Sequence, residues 1–434
     1  MIDKYLSKAN QKRWYKLNPH PKQEALISDK VRFKVVPAGR RSGKTERAKR
    51  FIVKEALRNP DEAYFVAAPT RDQVKKIYWT DLKRLTPESQ LLKKPSETEL
   101  IIYLKNGTTI TLIGLDKPER IEGILWTGGI IDEIADVKED AWEANIRPAL
   151  DTFNPSRPDY LAWCWLIGVP DGLNHYYDMA VYAETSGDPD WKLYHWKSAE
   201  ILPAKTIESA KRNMSPKQFK QEYEASFETA TGRVYEDYSK ENHTDKLYDE
   251  NRPIIWTHDF NYTPMSSAII QEYGEESYVI DEIILESAVA RNAVMEFVDR
   301  YKDAKIKQLY LYGDASGRAG EKHAQDSNFT IIKDILREND WTVYDRVPQS
   351  NGAIVDGQNS LRGRIMNANE ERRFFVNPRC KYTDKGLSTT TLKKGSSFQE
   401  EDSDYQHITT AIRYYTSVRF PINGYGKVSG GFNT

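Results

Sequence analysis

Between residues 31 and 169, short apolar runs alternate with longer amphipathic stretches. Runs at 31–37, 63–67, 100–104, 109–113, 128–131 and 161–169 have the length and β-branched or aromatic content of strands. Between the first two, residues 44–58 place Ala48, Phe51, Ile52 and Ala56 on one helical face, with Pro60 just beyond. Strand, crossover helix, strand is the grammar of an α/β sheet with parallel strands. After about Arg233 the periodicity fades and the chain turns polar. We therefore read residues 1–236 as a first domain, 237–249 as a linker and 250–434 as a second domain. The second alternation runs through strands at 254–257, 267–272 and 278–284, a helix at 290–302 and a strand at 308–312. Antiparallel-looking strands followed by a helix and another strand describe a different α/β domain. Residues 407–417 read as an aromatic-bearing helix, and the Gly- and Asn-rich tail from Pro421 as loose. There is no internal repeat.

At 434 residues the chain exceeds what one core usually organises, in keeping with two domains. Its longest uncharged apolar runs, 123–131 and 160–170, are about half of a bilayer span of ~20 residues. No membrane segment is expected, and the Lys-rich start lacks the apolar stretch of a secretory signal. Two cysteines, Cys164 and Cys380, are too few for a disulfide framework or a zinc site, so a reducing, cytosolic setting is expected. The net charge of −1 hides an asymmetry. Residues 1–50 carry 15 Lys/Arg against 4 Asp/Glu, which suits a polyphosphate ligand near the N-terminal part.

The first apolar run leads into Ala38-Gly39-Arg40-Arg41-Ser42-Gly43-Lys44-Thr45 and then the 44–58 helix. This is the context of a phosphate loop. Backbone N–H groups around Gly39, Arg41, Ser42 and Gly43 wrap phosphates, Lys44 reaches the β/γ oxygens, and the Thr45 hydroxyl holds Mg²⁺. Ala38 stands where the first glycine is usual; Gly39 beside it keeps the turn flexible. An ATPase of this kind also needs an acid for the metal and a base for water. Residues 128–131 end in Asp132-Glu133, giving a metal-holding Asp132 and a water-polarising Glu133. A guanidinium should reach the γ-phosphate, and Arg40, Arg41 and Arg147 are the candidates.

In the second domain, Asp259 ends the first strand and Asp314 ends a later one. Acids on adjacent strands can share a pair of Mg²⁺ ions that clamp the attacking and leaving oxygens of a phosphodiester. A third contributor would come from the C-terminal helix, where Asp404-Tyr405-Gln406-His407 offers Asp404 and His407.

Taken together, these residues resemble the large terminase subunit of tailed bacteriophages, over about residues 20 to 416. Gln23, within Pro21-Lys22-Gln23, resembles the family's adenine-reading glutamine, and Ala68-Pro69-Thr70 its next strand-end motif. The segment from Val169-Pro170-Asp171 to His175-Tyr176-Tyr177 is similar to the family's coupling segment. The resemblance implies an N-terminal P-loop ATPase domain of the ASCE type and a C-terminal ribonuclease-H-like nuclease. It implies ATP with Mg²⁺ at one site and Mg²⁺ or Mn²⁺ at the other. The implied activity is ATP-driven packaging of double-stranded DNA together with endonucleolytic cutting. The implied partners are DNA, a portal protein, a small terminase subunit and further copies in a ring. The implied location is the host cytoplasm, transiently on the procapsid.

Two departures stand out. Gly168-Val169 replace the hydroxyl residue usual before the coupling proline. Thr410 replaces the acid that usually follows the helix histidine, leaving Asp404, one helical turn before His407, as the substitute. A hydroxyl lacks the charge a carboxylate brings to Mg²⁺, which leaves a second class open: a helicase-like translocase whose C-terminal domain binds DNA or partners without cutting. A small-molecule P-loop kinase would leave the second domain unexplained.

Overall fold

The computed structural model describes residues 8–151, 160–228, 232–260, 264–286, 289–318, 327–393, 396 and 398–422. They form two compact units. One takes the described residues of Met1–Ile207 and Lys220–Thr229, the other those of Glu208–Phe219 and Ala230–Thr434.

The first unit is built on seven strands: β1 (Phe33–Pro37), β2 (Ala63–Ala68), β3 (Ile101–Tyr103), β4 (Thr109–Gly114), β5 (Gly128–Asp132), β6 (Trp163–Gly168) and β7 (Trp191–Leu193). Their order is β3-β4-β2-β5-β6-β1-β7, and every neighbouring pair is parallel except β3 with β4. Both faces of this sheet are covered. Val36, Tyr64 and Val66 enter one core, while Phe33, Val35, Phe65 and Ala67 enter the other. That two-sided burial explains why these strands read as apolar runs rather than alternations. The phosphate-loop strand β1 and the acid strand β5 are separated by β6, as the ASCE-type ATPase order requires.

The second unit carries β8 (Ile254–Asp259), β9 (Met265–Tyr273), β10 (Glu276–Leu285), β11 (Gln308–Gly313), β12 (Thr342–Asp345) and β13 (Phe374–Val376), in the order β12-β11-β8-β9-β10-β13. An antiparallel meander, β8 to β10, is extended beyond β8 by two parallel strands, β11 and β12. This is the ribonuclease-H-like arrangement. The helix Gln406–Arg419 packs Ile408, Ile412 and Tyr415 against Ile255, Ala268 and Ile270 on one face. The helix Ala290–Arg300 puts Val294 and Phe297 against Trp256 and Ile269 on the other. Residues 237–249 pack within this unit: the buried Asn242 amide donates to the carbonyls of Ile365 and Phe374, and His243 lies 2.8 Å from Asp384. The expected helix at 44–58 forms with those bounds, and all ten expected strands form. β7, β12 and β13 were not anticipated, and most of the tail from Pro421 lies outside the described residues.

Much of the N-terminal basic excess is bound internally. Arg13 reaches Glu46 at 2.9 Å and Asp81 at 2.8 Å, Arg50 reaches Glu46 at 2.6 Å, and Lys49 reaches Asp81 at 2.8 Å. Lys34 donates to the carbonyls of Leu26 and Asp29. Burial alone would raise the carboxyls of Glu46 and Asp81. The hydrogen bonds and charges of Arg13, Arg50 and Lys49 outweigh it and bring both down to about 2. Because the folded values lie below the unfolded ones, this stabilisation is present above roughly pH 4.5 and is lost as pH falls toward 2. The melting temperature of the first unit should fall through that window. Arg13→Ala should lower it by a few degrees at neutral pH and flatten the acid dependence, which calorimetry across pH would measure.

Candidate functional site

Three neighbouring parallel strands end at one edge of the first sheet, and each delivers one part of the site. β1 pairs Pro37 with Gly168 of β6, and β5 pairs Asp132 with Ile167 of β6. The phosphate loop after β1, the acids at the end of β5 and the segment after β6 therefore converge, as ligand sites in open α/β sheets do. Gly43 caps the helix Lys44–Arg58 with a left-handed φ of 88°. Gly39 is needed for close approach rather than for a turn: a Cβ there would lie 2.4 Å from the Ser198 hydroxyl and 2.6 Å from the Tyr223 carbonyl. The loop is braced from outside by Trp196, whose Nε1 donates to the Ser42 Oγ at 2.9 Å, and by Ser198, which donates to the Arg40 carbonyl at 2.7 Å.

Asp132 is fully buried and saturated with donors. Its Oδ2 accepts from the Thr45 hydroxyl at 2.8 Å and from the Tyr78 hydroxyl at 2.7 Å, and its Oδ1 accepts from the Glu133 N–H at 3.0 Å. A hydroxyl bonded to a carboxylate beside a phosphate loop is the donor set a Mg²⁺–nucleotide complex takes, so these residues fit that metal. Burial pushes the Glu133 carboxyl above its ordinary value. Lys44 pulls it back, whereas Asp132 and Asp136 push it further up. An acid raised in this way is a better proton acceptor than a free carboxylate.

Tyr78 was not singled out from sequence. It sits in the π-helical turn Lys75–Trp79, whose irregular period hides its direction, and such turns recur at functional sites.

Gln23 lines a pocket of about 320 Å³ beside the loop, with Tyr15, His20, Ser42, Gly43 and Arg47. Its Nε2 donates to the Ser42 carbonyl and its Oε1 accepts from Arg47, both at 2.8 Å. The three candidate arginines are placed differently. Arg40 is bound to the Glu222 carboxylate. Arg147 binds Asp151 at 2.8 Å and stacks over Phe33, at the start of β1. That end of the strand lies ~17 Å from the loop at about 3.3 Å per residue, so Arg147 does not reach the loop within this chain. Arg41 is exposed, in a left-handed backbone at φ 57°, with no carboxylate partner among the described residues.

In the second unit, His258 of β8 pairs with Gly313 of β11, which sets Asp259 and Asp314 side by side, one residue further along. Asp259 is buried and lies 3.3 Å from His407 Nδ1, and this bond raises the His407 imidazole above its ordinary value against the effect of burial. Asp314 accepts from the Ser316 N–H at 2.8 Å and from the Asn351 amide at 2.6 Å. The neighbouring His258 ring is buried between Trp256 and Phe260 and pushed down to about 3, so it is neutral. Thr410 is buried, and its hydroxyl accepts from Gln406 Nε2 at 2.6 Å. The same amide reaches Glu400 at 2.8 Å, and Glu400 pairs with Arg413 at 2.6 Å. Asp404 is exposed. Among the described residues no three His, Cys, Asp or Glu side chains stand close enough to hold a metal ion.

The family described as terminase large subunit, T4likevirus-type, N-terminal, matches residues 36–237. Over that stretch, just under half of the chain, it is similar to terminase large subunits. It is 25% identical over 301 residues to the terminase large subunit of Escherichia phage T5, covering 65% of this chain and 67% of that one. It is 24% identical over 252 residues to the terminase large subunit of Thermus phage G20c, half of each chain. In fold, the large terminase of a thermophilic bacteriophage aligns over 95% of this chain and 98% of its own, with a TM-score of 0.59 at 16% identity. The same phage protein in complex with ATP-γ-S aligns at a TM-score of 0.55 and 16% identity, over 95% of this chain and 99% of its own. Among the described residues, no helix is long and apolar enough to cross a membrane.

Tyr78→Phe keeps the buried ring but removes one of the bonds that orient Asp132. It should raise the Mg²⁺ concentration needed for nucleotide binding about tenfold, followed with a fluorescent ATP analogue.

Proposed function

We propose that this chain is an ATP-driven motor that moves double-stranded viral DNA into a procapsid and cuts concatemeric DNA with its C-terminal domain. The observation that carries the reading is the convergence of Lys44 and Thr45, Asp132 and Glu133, and the segment after β6 at the ends of three adjacent strands. The likeness to a terminase bound to ATP-γ-S supports it for the nucleotide. Lys44 would neutralise the β/γ-phosphate oxygens. Glu133 would take a proton from water as its oxygen attacks the γ-phosphorus and the bridging oxygen departs with ADP. Mg²⁺, held by Thr45 and Asp132, would supply the charge that stabilises those oxygens. Gln23 would meet the adenine in its pocket. Arg41 is the loop guanidinium open to the γ-phosphate, and Arg147 would act on a neighbouring copy's nucleotide in a ring. The portal protein and a small terminase subunit would be the partners in the host cytoplasm and on the procapsid. Lys44→Ala should abolish ATP turnover without unfolding the chain, and Glu133→Gln should bind ATP but hydrolyse it at least about a hundredfold more slowly. Normal turnover in Lys44→Ala would sink the assignment.

For cutting, Asp259, Asp314 and His407 would hold Mg²⁺ or Mn²⁺, with Asp404 the further candidate. The ion would supply charge at the scissile phosphate. The absence of a three-donor group among the described residues, and Thr410 in place of an acid, favour a second reading in which this domain binds DNA without cutting. Supercoiled plasmid with Mn²⁺ separates the two. Linearisation that EDTA stops and Asp259→Ala abolishes supports the nuclease, and Thr410→Asp should then lower the metal concentration needed. No cutting at any metal concentration supports the translocase-only reading.

A further inference from the structure

Glu133 has a left-handed backbone, φ 54°, a conformation that side chains other than glycine enter rarely and that surrounding contacts must enforce. Its own segment is a single short turn, Ile134–Asp136, too small to do so alone. The enforcement comes from the stretch after β6. The Val169 backbone N–H faces the Glu133 carboxylate. Asn174 Nδ2 donates to the Ala135 carbonyl at 3.0 Å, and His175 Nε2 lies 3.0 Å from the Ile134 carbonyl. These two residues are the N-cap and first residue of the helix His175–Thr185. Asn174 uses both ends of one amide: Nδ2 holds the acid turn while Oδ1 accepts from the Tyr176 N–H and caps the helix. The helix is fixed in turn by Tyr176, which is fully buried in the core beneath the sheet.

We propose that Asn174 and His175 are positioning residues for Glu133. They clamp the two carbonyls after it to a core-anchored helix end and so hold its carboxylate toward the phosphate loop. The proposal rests on Glu133 being the group that polarises water. Asn174 is suited to the task because its amide presents the accepting oxygen and the donating nitrogen on separate atoms, one for the helix cap and one for the carbonyl. Aspartate at 174 would keep the cap and lose the donor, and serine would keep the cap with a single shorter O–H that does not span both partners.

The test compares Asn174→Ala, Asn174→Ser, His175→Gln and the Asn174→Ser/His175→Ala pair in the full chain. Asn174→Ala should lower the melting temperature, and Asn174→Ser should restore most of it. The Ser/Ala pair should keep KM for ATP within about twofold while kcat falls about ten- to a hundredfold, as small misplacements of a catalytic group do. His175→Gln, which retains a donor, should keep most of kcat. Independently of turnover, the amides of residues 134–137 should exchange hydrogen faster in the pair than in the parent. Unchanged kcat with unchanged exchange overturns the proposal. So does a loss of kcat in Asn174→Ser that only tracks a loss of melting temperature. Faster exchange with unchanged kcat would keep the clamp and overturn instead the role of Glu133.

Discussion

The N-terminal site depends on the register of three parallel strands. Because Pro37 and Asp132 are paired with consecutive residues of β6, the loop after β1, the acids of β5 and the segment after β6 leave the sheet at one level. Hydrogen-bond ladders fix that level to a fraction of a residue, and the cores on both faces make a slip costly in every layer at once. Everything chemical in the unit is hung from this edge. Asp132 can then be buried as an anion because three donors from three separate segments reach it, which is the condition under which a buried carboxylate is tolerated.

The basic character of the N-terminal residues has a different origin from the one composition suggests. A stretch with so many more cations than anions invites a polyanion, yet Arg13, Lys49 and Arg50 spend their charge on Glu46 and Asp81, and Arg47 on Gln23 and Glu24. Arg13 and Arg50 also flank the Tyr15 ring, at 5.8 and 4.7 Å. Charge density along a sequence measures what must be paired, and the pairs here come from helices folded back onto the same core. Within the loop, the N–H groups of Gly39, Arg40 and Ser42 are bound to the carbonyls of Trp196, Glu222 and Gly39, while the Arg41 guanidinium has no carboxylate partner among the described residues.

The parts legible in the sequence were those with a period or a fixed spacing. Strand β1, the loop and the 44–58 helix form one continuous signal, and the acid pair follows at the spacing a crossover allows. β7, β12 and β13 are three or four residues long, too short for a two-residue alternation to rise above chance. Tyr78 was hidden because a π-turn rotates it off the face a regular helix would give it. Gly39 was legible as a glycine but not for its reason, since the crowding comes from Ser198 and Tyr223, far away in sequence. The bracing by Trp196 and Glu222 is likewise long-range.

Position 410 shows how a departure in sequence can be physically self-consistent. Gln406, one turn earlier, shares its amide between the Thr410 hydroxyl and the buried Glu400 carboxylate, and Glu400 is neutralised by Arg413. Arg413 in turn lies close enough to Asp259 to feel its charge. A carboxylate at 410 would keep its own N–H of that amide but would set a second negative charge in the same buried cluster, which raises the cost of ionising either acid. With Glu400 in place, a hydroxyl at 410 satisfies the network without adding charge. The acid missing from the helix is thus balanced by one that approaches it from the preceding loop, spent on Arg413 rather than left open to a metal.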